Sequence, residues 1–185
     1  MNGSRPLGLE YLDLYLIHWP VPSQDLYVET WKALIQARED GLVRTIGVSN
    51  FNRDHLERII GETGVMPAVN QIELHPRFQQ KALRAFHEEH GVRTESWSPL
   101  GRGSLLGDPA VVGIAAKHGK TPAQVVIRWH LDSGLIVIPK TVRLERLKEN
   151  IGALGFRLDG DDMRRIEALD TPGGRIGPDP ATAAF

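Results

Sequence analysis

The sequence predicts an α/β fold of the (β/α) barrel type, and three observations support that prediction. Short β-branched segments alternate with amphipathic helical segments, which is typical of right-handed βαβ units and a parallel sheet. Polar or aromatic residues lie at or just past the carboxyl end of each predicted strand, as they do on the active-site face of such a barrel. No Gly-x-Gly-x-x-Gly turn opens a helix, so a doubly wound dinucleotide fold is the weaker alternative.

The chain begins its alternation with a strand and a helix. Residues 12–19 form an apolar run that predicts a buried strand. Residues 26–40 have helical spacing that turns Trp31 and Leu34 inward, and Gly41 ends this helix. Residues 45–48 predict the second strand.

The next elements continue the same pattern. Asn52 is a suitable N-cap for a helix whose apolar face contains Leu56 and Ile59. Residues 68–74 predict the third strand, and residues 79–90 predict the helix that follows it.

The later elements complete five strands. Residues 92–97 predict the fourth strand and residues 136–138 the fifth. Two helices, 109–118 and 122–131, lie between them, and Thr121 caps the second, which has a proline at its first position.

A basic helix start follows the fifth strand, since Leu144, Leu147 and Ile151 have the spacing of one helix face. Three cations and a hydroxyl lie around its first turn: Lys140, Thr141, Arg143 and Arg146. The unpaired N–H groups of a helix start favour an anion, so a phosphorylated ligand is one interpretation. A solvated basic helix start is the alternative.

The C-terminal end has a different composition. Residues 159–170 predict a last short helix, and residues 171–185 form a tail rich in Gly, Pro and Ala. The predicted organisation is therefore a barrel part with the cofactor-binding face, residues 1–170, and a tail, residues 171–185.

Composition narrows the class of protein. The 185 residues are 41% hydrophobic with a net charge of −1, which indicates one globular core and neither a nucleic-acid nor a membrane partner. Cysteine is absent, which excludes disulfides and thiolate metal sites and fits a cytoplasmic protein. No pair of histidines has metal-ligand spacing, so we expect no metal.

The residues at the strand ends suit the parts of one ligand. Asn50 and Gln71 each offer an amide donor and acceptor for a carboxamide, and Trp97 offers a flat face for an aromatic ring. The loop with Ser98, Gly101 and Ser104 suits a pyrophosphate. A carboxamide, an aromatic ring and a pyrophosphate, together with the extra phosphate expected at the basic helix start, are the parts of NADP(H). Each residue also has a structural alternative: Asn50 as a cap, Gln71 as a partner of buried backbone, Trp97 as core.

Four motifs in order resemble the aldo-keto reductase family. They are Ile17-His18-Trp19-Pro20, Ile46-Gly47-Val48-Ser49-Asn50-Phe51, Val69-Asn70-Gln71-Ile72-Glu73-Leu74-His75-Pro76, and Ile138-Pro139-Lys140-Thr141-Val142 through Glu149-Asn150. The bacterial 2,5-diketo-D-gluconate reductase group is the most similar branch. The resemblance implies a (β/α)8 TIM barrel that reduces a small-molecule aldehyde or ketone with NADPH.

The resemblance also implies residue roles. His18 orients or polarises the substrate carbonyl, Trp19 lines the substrate pocket, and Trp97 stacks on the nicotinamide ring. Apart from the resemblance, the aromatic residues Trp19 and Phe51 suggest a partly apolar substrate pocket. The other implied cofactor contacts are the carboxamide set Ser49, Asn50 and Gln71, the pyrophosphate set Ser98, Leu100, Gly101 and Ser104, the 2′-phosphate set Lys140, Thr141, Val142, Arg143 and Arg146, and the adenine pair Glu149 and Asn150.

The chain departs from the family pattern in its catalytic residues. The family uses Asp, Tyr, Lys and His, and only the His has a counterpart here, His18. Tyr11, Tyr15 and Tyr27 do not match the catalytic tyrosine, and the Asp and Lys also have no match. About five of eight strand–helix units are recognisable, so we interpret the barrel as incomplete and N-terminally truncated.

This departure predicts weak or absent activity of the chain alone, because a positioned general acid contributes roughly 10²–10⁴-fold. We also expect Ile17, Val48 and Val69 to be uncovered, and the chain to self-associate, whereas full-length family members are often monomeric. A non-catalytic NADP-binding or interaction protein is the alternative. A phosphate-binding aldolase is a third interpretation, disfavoured because no Schiff-base lysine lies inside a strand.

The seven histidines give further expectations. Those beside helices amid charges are expected at the solvated surface: His55, His87, His90 and His118. His75 and His130 are expected to be structural.

Overall fold

The computed structural model describes residues 8–184 and contains one five-stranded sheet with the strand order β1-β2-β3-β4-β5. The strands are β1 Leu12–Ile17, β2 Val43–Ser49, β3 Val69–Glu73, β4 Arg93–Trp97 and β5 Ile136–Val137. The pairings of β1 with β2, β2 with β3 and β4 with β5 are parallel. The predicted α/β fold with a parallel sheet is confirmed.

Seven α-helices alternate with these strands in the described residues. They are α1 Tyr27–Glu39, α2 Arg53–Thr63, α3 Lys81–Glu89, α4 Pro109–His118, α5 Pro122–Asp132, α6 Leu144–Ile151 and α7 Gly160–Glu167. Short 3-10 turns lie at Pro22–Gln24, Gly101–Gly103 and Gly152–Gly155. The predicted element order is therefore correct, whereas β1 ends two residues before its predicted end and β2 begins two residues earlier.

The described chain forms two compact units. The first contains the residues up to Ile72, Ala82–Thr94 and the residues from Pro178 onward. The second contains Glu73–Lys81 and Glu95–Gly177.

The first unit has its core between the sheet and the helices α1 and α2. Trp31, Leu56 and Ile59 are fully buried in this cluster together with Val48. Burial of each of the aliphatic side chains Leu56, Ile59 and Val48 contributes about 1.5–3 kcal/mol to folding. Gly47 of β2 pairs with Leu16, and a Cβ at this glycine would lie 2.7 Å from the carbonyl oxygen of Val69. Close strand packing therefore requires glycine here.

In the second unit, α5 begins with two reciprocal hydrogen bonds. The Thr121 hydroxyl accepts from the Gln124 N–H, and the Gln124 side chain accepts from the Thr121 N–H. This capping box satisfies two of the free N–H groups of the helix start. Near the other end, Arg128 and Asp132 form a buried ion pair, and Arg157 adds a second guanidinium at 2.9 Å. The predicted cap Thr121 is confirmed.

The distribution of apolar surface differs from the expectation. Ile17, Val48 and Val69 are all buried, so the prediction that they are uncovered is wrong. The exposed apolar residues instead include Leu14 and Tyr15 of β1. On α6 the face defined by Leu144, Leu147 and Ile151 is also exposed. Among the described residues, no helix has the length and apolar character needed to cross a membrane.

Candidate functional site

The turn after β2 carries the first group of predicted site residues. Asn50 adopts a left-handed backbone with φ of 61°, which asparagine tolerates better than most residues. Its N–H donates to the carbonyl oxygen of Gln71 at 2.9 Å, and the Ser49 hydroxyl donates to the same oxygen at 2.8 Å. The structure therefore joins Ser49, Asn50 and Gln71 directly.

The side chain of Asn50 extends this group to the end of β1. Its Nδ2 donates to the backbone oxygen of His18 at 3.0 Å and to the Ser49 hydroxyl at 3.1 Å. Asn50 is 4% exposed, whereas the His18 side chain is exposed. The ring of Trp19, half-buried, lies edge-on to the His18 ring with centroids 6.3 Å apart. His18 is thus held by its backbone beside the Asn50 turn while its imidazole faces outward.

Phe51 does not line a pocket. Its side chain is fully buried and packs edge-on against Tyr27 and His55, with ring centroids 5.6 and 5.9 Å away. The prediction that Phe51 contacts substrate is therefore corrected, because a ring without exposed surface belongs to the core. Its backbone has a different role, since Asn70 Nδ2 donates to the Phe51 oxygen at 2.8 Å and Asn70 Oδ1 accepts from the Phe51 N–H at 3.4 Å.

A buried histidine contacts the side chain of Asn70. His87 of α3 is 1% exposed, and its Nε2 lies 3.0 Å from Asn70 Nδ2. Its Nδ1 lies 2.8 Å from the Thr94 hydroxyl. Burial lowers the pKa of His87 to about 4. The expected surface position of His87 is wrong.

His55 is a second histidine whose expected surface position is wrong. It is 3% exposed, and its Nδ1 accepts from the N–H of the helix cap Asn52 at 3.1 Å. Burial lowers the pKa of His55. Asn52 itself begins α2 as predicted.

In the second unit, Trp97 ends β4 with a half-buried indole. The loop that follows is shaped by left-handed residues, with φ of 49° at Ser98 and 55° at Gly101. The Ser98 oxygen accepts from the Gly101 N–H at 2.9 Å, and the Ser104 hydroxyl donates to the Gly101 oxygen at 2.8 Å. Leu100 is half-buried at the start of the 3-10 turn. The pyrophosphate set therefore lies on one closed turn.

The basic residues lie at the start of α6 as predicted. Lys140, Arg143 and Arg146 are exposed, and so is Val142, at 93%. The Thr141 hydroxyl accepts from the Arg143 N–H at 3.1 Å, which orders the backbone just before the helix. The exposed cations at this helix start would favour an anion.

The predicted adenine pair lies at the other end of α6, half-buried. Glu149 is engaged by α5, since its carboxylate accepts from the Thr121 hydroxyl at 2.5 Å and its backbone oxygen accepts from Gln124 at 2.9 Å. These bonds fix where α6 lies on the second unit, and Asn150 adjoins them. That Glu149 and Asn150 contact adenine stays a prediction.

Sequence reasoning assigned no role to Glu73. Its side chain is 1% exposed, and its two carboxylate oxygens accept from the backbone N–H groups of Ile176 and Gly177 at 2.6 and 2.8 Å. His75 Nε2 lies 3.2 Å from the first of these oxygens. Burial acts to raise the pKa of Glu73, but the hydrogen bonds from His75 and the two N–H groups outweigh it and leave the pKa below its usual value. An acidic residue at a strand end within a run of site residues was the available signal.

Comparison with known proteins gives a consistent result. A model of the Aldo/keto reductase family matches residues 3–171. An aldo-keto reductase of Mycolicibacterium smegmatis is 56% identical over 97% of this chain and 65% of its own length. Methylglyoxal reductase DkgA of Escherichia coli K12 is 52% identical over 97% of this chain and 66% of its own length. The chain thus spans about two thirds of the length of these curated relatives.

Solved structures with high sequence identity have the same fold as this chain. The apo crystal structure of Gox0644 superposes with a TM-score of 0.97 at 62% identity, covering 98% of this chain and 67% of that chain. A variant of Gox0644 crystallised in complex with NADPH superposes with a TM-score of 0.96 over the same shares.

Proposed function

The chain belongs to the aldo/keto reductase family, and we therefore propose that it binds NADP(H) and takes part in hydride transfer between NADPH and an aldehyde or ketone. The observation that carries the proposal is the bonded group of Ser49, Asn50 and Gln71, which joins the end of β2 to the neighbouring strand β3. A solved relative, Gox0644, is known in complex with NADPH, which supports the choice of cofactor.

The proposed contacts to the nicotinamide carboxamide come from Ser49, Asn50 and Gln71. A carboxamide offers a donor and an acceptor, and Asn50 and Gln71 are amide side chains on a backbone that is itself hydrogen-bonded. Both N–H bonds of the Asn50 amide already hold His18 and Ser49, so the proposed contact of Asn50 is as an acceptor, through Oδ1. Fixing these amide side chains beforehand reduces the entropy lost when a ligand binds. His18, beside them, has an exposed imidazole that can donate a hydrogen bond to a carbonyl oxygen.

The remaining proposed contacts to the cofactor come from Trp97, from the turn 98–104 and from the start of α6. Trp97 offers an aromatic face to the nicotinamide ring, and the closed turn from Ser98 to Ser104 would hold the pyrophosphate. The segment before α6 and its first turn would bind the 2′-phosphate through the cations Lys140, Arg143 and Arg146, together with Thr141 and Val142. This set favours NADPH over NADH, because only NADPH carries that phosphate.

Catalysis by the chain alone is proposed to be weak. When bound, NADPH supplies the hydride, and the oxygen that becomes negative must then be stabilised and protonated. His18 can stabilise it with one hydrogen bond, but the family's Asp, Tyr and Lys have no counterpart in the sequence. We also propose that the five strand–helix units are part of a (β/α)8 barrel, supported by their parallel order and by the exposed apolar residues Leu14 and Ile136.

A non-catalytic NADP-binding protein is the second candidate, favoured by the same missing residues. Titration with NADPH, followed by quenching of Trp fluorescence, tests the binding that both candidates require. Methylglyoxal is the first substrate to test, since the Escherichia coli relative is named for its reduction. Cofactor absorbance that falls with methylglyoxal supports the enzyme, binding without turnover supports the second candidate, and absence of NADPH binding contradicts both.

The state of the chain in the cell is a further proposal. We propose a cytoplasmic protein, consistent with its lack of cysteine.

We also propose that the chain alone self-associates, which the exposed α6 face supports, with Leu144 59% and Ile151 57% exposed. Light scattering over a range of concentrations measures it.

A further inference from the structure

The segment Thr171–Gly177, here called the C-terminal strap, is bound to the second unit at both of its ends. At its start, the Thr171 N–H donates to the Arg77 oxygen at 3.2 Å. At its end, the N–H groups of Ile176 and Gly177 both donate to the Glu73 carboxylate. Gly174 passes so close to Arg77 that a Cβ there would lie 1.8 Å from the Arg77 oxygen. The strap therefore has a defined path.

Among the described contacts of the strap, the Glu73 carboxylate is the one buried, charged partner, and it accepts two hydrogen bonds from the strap. Hydrogen bonds that involve an ionised partner are roughly twice as strong as neutral ones. A buried carboxylate without donors would be costly, so the strap and Glu73 stabilise each other. His75, 1% exposed, supports the carboxylate from the other side.

The clamped end of the strap lies against the indole of Trp97. A Cβ built on Gly177 would lie 2.5 Å from Trp97 Cη2 and 2.8 Å from Glu73 Oε2. Only glycine leaves room for both neighbours. The position of the Gly177 backbone therefore limits where the six-membered ring of Trp97 can lie.

We propose that Glu73 is a positioning residue that, by clamping Ile176 and Gly177, fixes the strap against Trp97 and so orients the indole for the cofactor ring. This inference rests on the proposed binding of NADP(H) for its functional consequence. The clamp itself is independent of any ligand.

The test compares Glu73→Gln, Gly177→Ala and a control variant with the wild-type chain, and it repeats Glu73→Gln in a Trp97→Phe background. Glu73→Gln keeps the size of the side chain but places an NH2 group where one strap N–H needs an acceptor. Gly177→Ala leaves the carboxylate intact and adds a methyl group against Trp97, so it keeps the test informative if Glu73→Gln folds poorly. Glu167→Gln is the matched control, since Glu167 is an exposed residue of α7 paired with Lys81.

Two measurements separate the clamp from the proposed function. Hydrogen exchange of the Ile176 and Gly177 amides should become about tenfold faster or more in Glu73→Gln and stay unchanged in the control. NADPH affinity should fall roughly threefold to tenfold in Glu73→Gln and in Gly177→Ala. In a Trp97→Phe background the effect of Glu73→Gln on NADPH affinity should largely disappear, which a general loss of stability would not produce.

Unchanged exchange in Glu73→Gln overturns the clamp. Faster exchange with wild-type NADPH affinity overturns the orientation of Trp97, as does an equal loss of affinity in the Trp97→Phe background. A wild-type chain that binds no NADPH contradicts the proposed function instead, and the exchange measurement alone then decides whether Glu73 holds the strap.

Discussion

The Nε2 atom of His87 lies 3.0 Å from the side-chain nitrogen of Asn70, and both side chains are buried. Because an amide nitrogen only donates, Nε2 accepts this hydrogen bond and the ring proton lies on Nδ1, which faces the Thr94 hydroxyl. Protonation of Nε2 would place two donors against each other. The neutral ring is therefore part of the support for Asn70, which in turn holds the backbone of Phe51 after the Asn50 turn.

This arrangement predicts a loss of stability in acid. The folded pKa of His87 is about 4, whereas an unfolded histidine titrates near about 6.5. Between these two pH values the unfolded state binds a proton at His87 that the folded state does not bind. The contribution of His87 to the free energy of unfolding therefore falls as the pH decreases from about 6.5 to about 4, by roughly 3 kcal/mol in total. Urea unfolding at several pH values measures this. In His87→Gln the free energy of unfolding should no longer fall with decreasing pH in this range. If this variant shows the same pH dependence as the wild type, another group is responsible for it.

The left-handed backbone of Asn50 predicts a difference between two substitutions. Asn50→Gly and Asn50→Ala both remove the bonds to His18 and Ser49, but only alanine is strained at φ of 61°. We expect Asn50→Ala to be less stable than Asn50→Gly by about 1–2 kcal/mol. Denaturant unfolding of both variants tests this. Equal stabilities would mean that the turn relaxes to another conformation.

Two glycines of the first unit should respond in opposite ways to alanine. At Gly47 a Cβ would lie 2.7 Å from the Val69 oxygen, whereas at Gly61 in α2 no atom lies within 4 Å. Gly61→Ala should stabilise the chain by about 0.5–1 kcal/mol through helix propensity, and Gly47→Ala should destabilise it by about 1–3 kcal/mol through overpacking. Thermal unfolding gives both values, and each variant is the other's control. A neutral Gly47→Ala would contradict the close approach of β2 and β3.

The basic start of α6 predicts a preference between cofactors. If Arg146 contacts the 2′-phosphate, Arg146→Ala should weaken NADPH binding by about tenfold, the size of one charge-assisted hydrogen bond, and leave NADH binding nearly unchanged. Calorimetric titration with both cofactors measures the ratio. Arg164→Ala, on the exposed face of α7 beside Asp161, is the matched control. Equal losses for both cofactors would place Arg146 away from the phosphate.

The sequence predicted the order of elements and several helix boundaries because these depend on neighbouring residues. The prolines at the starts of α4 and α5 and the cap Thr121 act within one turn, and the structure has both helices starting at those prolines. The joining of Ser49, Asn50 and Gln71 was also foreseeable, since β2 and β3 were expected to be parallel neighbours, although Gln71 lies in the middle of β3 and not at its carboxyl end.

The errors concern side chains whose partners are distant in the sequence. His87 lies among charged residues of α3, which suggests a surface position, but its partner Asn70 lies on β3 and is 17 residues away. Phe51 adjoins a site residue along the chain, yet its ring packs against Tyr27 of α1. The bonds of Glu73 to the strap span more than a hundred residues, and no local pattern reports them.

That long span has a consequence for synthesis on the ribosome. When β3 leaves the exit tunnel, the N–H groups that Glu73 needs have not yet been translated, since Ile176 follows 103 residues later. Until then the carboxylate keeps its hydration shell, because desolvating an unpaired charge is unfavourable. The second unit can therefore reach its final packing around Glu73 only after Ile176 and Gly177 have been made, and a nascent chain stalled before Ile176 would keep water around this carboxylate.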